Sequence, residues 1–137
     1  MGTSRLLWLL GPVTGLFTAD VALTLSGQPS SYWAGDYSTA VEANPFAYPL
    51  LTFSPWLFAS LAFFWMTILS GVILFWQHSI SGWLAGGLAV AHAVGGSSWL
   101  LQWGWWGIMA ASLYLVLAAQ VTGWCWRRYS RSSQRTI

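Results

Sequence analysis

The chain is 137 residues long, 56% hydrophobic and 18% aromatic, with only 6% charged residues. A soluble domain of this size would be about a quarter charged, and it could not hide so much apolar surface in a single core. Most of this surface is therefore expected to face lipid rather than water.

The charged residues are Arg5, Asp20, Asp36, Glu42, Arg127, Arg128, Arg131 and Arg135, and none falls between Glu42 and Arg127. As one helix rising about 1.5 Å per residue, that stretch would be several times longer than the roughly 30 Å hydrocarbon core, so it must fold back, with room for three passes. The net charge of +2 comes from the basic tail. No basic residue is interleaved with the body of the chain, which argues against a nucleic-acid surface. The single Cys125 permits no internal disulfide and no CxxC metal pair.

The first span is expected over 6–26, after Arg5 and before the turn formers Gly27, Gln28, Pro29, Ser30 and Ser31. Arg5 with the following apolar run could also be read as a secretory signal. No A-x-A site follows, so the reading is an uncleaved helix. Residues 27–49 form the one long polar loop, with a short helix expected near 38–43. The second span is expected over 50–76, with Pro55 in its first turn, where a missing N–H costs little. A turn holding His78 leads to the third span over 82–100, and the fourth follows over 105–126. Residues 127–137 are read as a polar basic tail.

These elements predict an all-α fold: a four-helix transmembrane bundle that forms a single membrane domain. Arginine is retained on the cytoplasmic side, and all five arginines flank the outermost ends of the chain, so both termini are expected to be cytoplasmic. The tryptophans agree. Trp8, Trp76, Trp83, Trp124 and Trp126 fall near the inner headgroup level, and Trp33, Trp56, Trp99, Trp103, Trp105 and Trp106 near the outer one, leaving Trp65 mid-membrane. The expected location is the inner or intracytoplasmic membrane of a prokaryote.

Asp20 is the one charged residue inside a span, with Thr18 and Thr24 nearby. An intramembrane carboxylate must be paired or neutralised, and it marks a candidate functional site. The expectation is that it pins the first helix to the loop. In that loop Glu42 and Asn44 offer oxygens, and Pro45 holds Asn44 extended. Asp20, Glu42 and Asn44 would then form a polar outer-mouth site, usable for a proton or cation. The first-helix Asp20 followed by Glu42-Ala43-Asn44-Pro45 resembles a group of uncharacterised small prokaryotic multi-spanning membrane proteins. The likeness covers about 20–50, with the threonine expected after the aspartate displaced to Thr24. It bears on the fold rather than on an activity.

His92 lies mid-way along the third span, with small residues on its side of the helix. Gly82, Ala85, Gly86, Ala89 and Gly96 read as one helix-packing face, since small residues let backbones approach closely in lipid. His92 is then either interhelical glue or the axial ligand of a flat macrocycle, haem or (bacterio)chlorophyll. A bis-His haem is disfavoured because His78 lies in a turn. No catalytic set, phosphate loop or metal cluster is apparent, so no enzyme activity and no metal are expected.

The resulting expectation is a non-catalytic accessory or scaffold subunit of a larger membrane complex, of the electron-transfer or photosynthetic kind. It would dock through aromatic and Gly/Ala faces, because twelve Trp exceed what two belts need. Arg127, Arg128, Arg131 and Arg135 would meet a partner or anionic lipid headgroups. The alternatives are a small proton or cation transporter using Asp20 and Glu42, and a pigment-binding subunit using His92.

Overall fold

The computed structural model describes residues 3–76 and 79–134, and all regular structure among them is helical. His78 and Arg135 lie outside the described residues. Helix α1 spans Thr3–Ser26, followed by a short α2 at Ser30–Trp33, a 3-10 turn at Tyr37–Thr39 and α3 at Tyr48–Phe53. Then come α4 at Pro55–Phe75, α5 at Ser79–Leu101 and α6 at Gly104–Gln134. Four stretches are long and apolar enough to cross a membrane: Leu6–Ser26, Pro55–Phe75, Ile80–Leu101 and Gly104–Arg131.

In α1 the hydroxyls of Thr14 and Thr18 donate back to the carbonyls of Leu10 and Thr14, both at 2.8 Å, which removes unpaired polar groups from an apolar helix. The helix expected near 38–43 is reduced to Tyr37–Thr39, started by Asp36 Oδ1, which accepts from the Ser38 amide and hydroxyl. Tyr32 is fully buried and donates to the Leu51 carbonyl at 3.1 Å, tying the loop to α3.

The second span does not begin at residue 50 as one continuous helix. Ser54 is extended at φ −171° and ψ 140° and separates α3 from α4. A residue before proline is pushed out of the helical region, and Ser54 then caps the new helix by accepting from the Trp56 amide at 3.2 Å. A second departure is at the chain's end: the expected polar tail continues α6 to Gln134, with Arg127, Arg128 and Arg131 exposed along it.

Helices α1, α5 and α6 pack mutually, whereas α4 rests more lightly on α1 and α5 and makes no close approach to α6. Buried Val13, Phe17, Val21, Ala85 and Ala89 belong to the core. The hairpin between α5 and α6 is tight. Gly104 takes φ +65°, and Gly107 lies so close to the Leu100 carbonyl that no side chain would fit. The start of α1 meets the end of α6, where Trp8 and Trp124 pack edge to face at 5.1 Å with the Arg128 guanidinium over both rings.

Candidate functional site: a half-buried Asp–His pair beside a lateral cavity

Asp20 comes from the last third of α1 and His92 from the middle of α5. Their side chains meet, with His92 Nδ1 2.9 Å from Asp20 Oδ2, and are 24% and 19% exposed respectively. Phe17, one turn before Asp20, packs edge-on against the imidazole at 5.2 Å, and Phe63 of α4 packs against Phe17 at 5.0 Å. The ring is thereby held in one plane. Gly95 supplies the room: a Cβ there would stand 2.7 Å from Asp20 Oδ2, so the carboxylate lies directly on the α5 backbone.

Among the described residues the Asp20 carboxylate makes its hydrogen bond to His92 on α5 rather than to the loop, where the link was expected. Gln28 makes that link instead. Its amide donates to the Thr24 and Val41 carbonyls at 2.9 and 2.8 Å, and its Oε1 accepts from the Val41 amide at 2.9 Å. Gln28 is 6% exposed, and the sequence signal for it was weak: a lone amide among turn formers. A stronger signal existed for the Asp–His pair, since a carboxylate inside a long apolar helix needs a partner and His92 lies inside another such helix.

A cavity of about 870 Å³ opens beside the pair, between α1, α4, α5 and the loop. Asp20, His92, Glu42 and Asn44 all contribute to its lining. Glu42 and Asn44 are turned onto their own loop, however: Glu42 Oε1 accepts from the Asn44 amide at 2.7 Å, and Asn44 Oδ1 from the Phe46 amide at 2.9 Å. Among the described residues no three His, Cys, Asp or Glu side chains cluster as a metal site. The rest of the wall is mainly aromatic and aliphatic, including Phe58, Phe64, Trp65 and Trp99.

The packing face expected on α5 is divided between inside and outside. Ala85 and Ala89 are buried at 3% and 2% exposure. Gly82 lies under the Trp126 ring and Gly96 under the Tyr114 hydroxyl, where an added Cβ would come within 3.0 and 2.9 Å. Gly86 instead has nothing within 4 Å of a Cβ position. The Tyr114 hydroxyl is buried with no hydrogen-bond partner among the described residues.

No protein-family model matches the chain, and no curated protein or solved structure matches it.

Proposed function

We propose that this chain is a non-catalytic accessory subunit of a larger integral membrane complex. The observation that carries the reading is the sidedness of α5. Ala85 and Ala89 are used by the chain's own bundle, whereas Gly86 and its neighbour Gly87 have open space where a side chain would stand. A glycine inside a helix costs about 1 kcal/mol relative to alanine, and no internal contact here offsets that. In lipid, small residues are what allow the backbone of a second helix to approach closely, so the open glycines suit a partner's helix.

Other surfaces suit the same role. Trp103, Trp105 and Trp106 are 62%, 73% and 75% exposed at the α5–α6 turn, a cluster of rigid side chains well shaped for protein contact. The exposed Arg127, Arg128 and Arg131 on the end of α6 suit anionic headgroups or an acidic partner surface. Arginine placement favours a cytoplasmic location for both termini in a prokaryotic inner membrane.

The test is an inventory by mass spectrometry of what copurifies with a tagged chain in mild detergent. Larger membrane subunits should come with the wild type and be lost from Gly86→Leu and Gly87→Leu variants of unchanged thermal stability. Ala89→Leu should instead destabilise the isolated chain. Purification as a homo-oligomer free of other chains would sink the reading. A pigment-holding role is a second reading, favoured by the Asp20 contact on Nδ1, because ligating histidines commonly use their other ring nitrogen in this way. A visible absorbance band lost in His92→Leu would establish it.

A further inference from the structure

We propose that the cavity beside the Asp20–His92 pair is a binding site for a lipid-soluble ring compound bearing a carbonyl oxygen, of the quinone class, with the His92 imidazole as hydrogen-bond donor.

The argument begins with charge. A net charge is costly at this depth, so the favoured state of the pair is the neutral one, with a single proton shared between His92 Nδ1 and Asp20 Oδ2. Whichever atom holds that proton, the second imidazole proton then resides on Nε2. That nitrogen makes no hydrogen bond among the described residues, and His92 lines the cavity. His92 therefore brings a hydrogen-bond donor to the lining of the cavity, for an oxygen acceptor. The pigment reading needs the other proton placement, Nδ1–H donating to an ionised Asp20 with Nε2 bare, so the two readings exclude each other at this contact.

Shape and surroundings define the rest of the ligand. About 870 Å³ is within the range of pockets that hold ligands of drug size, roughly 300–1,000 Å³. Phe17, Phe58, Phe64, Trp65 and Trp99 give it aromatic walls suited to a flat ring. Phe64 and Trp65 stand at its rim, 63% and 60% exposed at mid-span, so the opening faces where the bilayer lies. The light packing of α4 on α1 and α5 leaves that side as the way in. A water-soluble ligand would meet the wrong walls and the wrong entrance; a ring with an apolar tail meets the right ones.

The test uses the full chain in phosphatidylcholine nanodiscs, titrated with decyl-benzoquinone and, separately, with decylbenzene, which keeps the ring and tail but lacks the carbonyls. Bound ligand is measured against empty nanodiscs. Saturable binding of about one quinone per chain is expected, with decylbenzene at least about tenfold weaker, the effect of one good hydrogen bond. His92→Leu should weaken quinone binding about tenfold, and His92→Gln, which keeps an N–H donor, should recover most of it. Even if the leucine variant fails to fold, the decylbenzene and glutamine arms decide the matter. Equal binding of both compounds would reduce the cavity to a groove for acyl chains. Quinone uptake no greater than in empty nanodiscs, or full affinity in a folded leucine variant, would overturn the proposal.

Discussion

Asp20 and His92, seventy-two residues apart in sequence, form a polar link between α1 and α5, at 2.9 Å and beside a glycine that has no side chain to obstruct it. The contact ties the facing and register of α1 to α5, two helices long and apolar enough to cross a membrane.

Replacing Asp20 separates its hydrogen bond from its charge. Asp20→Asn keeps an acceptor for the imidazole and should leave the melting temperature in detergent close to wild type. Asp20→Leu leaves His92 unpaired and should cost about 1–3 kcal/mol. A proton- or cation-dependent activity lost in the asparagine variant, with assembly normal, would support the transporter reading instead.

Gly95 should tolerate no methyl group. In Gly95→Ala the new Cβ would stand 2.7–3.0 Å from the Asp20 carboxylate, so either the carboxylate or the helix must shift, at a cost of about 1–3 kcal/mol. Gly11→Ala is the control, since nothing lies within 4 Å of its Cβ position and alanine is the better helix former. Thermal unfolding should move down for the first and stay level or rise for the second. Equal behaviour would mean that the α1–α5 contact is looser than described.

The loop should depend on Gln28 and Tyr32 rather than on Asp20. Gln28→Ala removes three hydrogen bonds that hold the loop to the end of α1, and it should increase protease cleavage within 34–47 without preventing insertion. Burial, with a smaller contribution from Tyr37, pushes the Tyr32 phenol up. Its contribution is therefore complete below the ordinary phenol value of about 10 and is lost as pH rises through the higher folded value. Tyr32→Phe should flatten that alkaline loss and cost about 1 kcal/mol at neutral pH through the missing bond to Leu51.

Sidedness can be read with single cysteines in a Cys125→Ser background. A cysteine at Ser38 should be labelled only from outside the cell and one at Ser132 only from inside. Labelling of both from the same face would rule out four crossings with cytoplasmic ends.

The number of helices long and apolar enough to cross a membrane and the all-helical character were legible in the residues themselves, because hydropathy and charge are properties of single positions summed along the chain. The charge-free stretch between Glu42 and Arg127 is long enough for several span-length helices whatever the packing. The small residues of α5 read as one packing face, but their spacing did not tell Ala85 and Ala89, which are buried, from Gly86, which is open. Tertiary structure decided the rest. Pro55 was visible as a first-turn residue, but the separate helix α3 before it, tied to the loop by the Tyr32 bond to Leu51, emerged only in the structure. Gly86 sits among the same glycines as Gly82 and Gly96, and only the placement of Trp126 and Tyr114 separates the inward positions from the open one. Asp20 was recognisable as a carboxylate in need of a partner. That the partner is His92 follows from close packing of α1 on α5, where Gly95 leaves room and Phe17 holds the ring, a steric match between distant residues that no single position encodes.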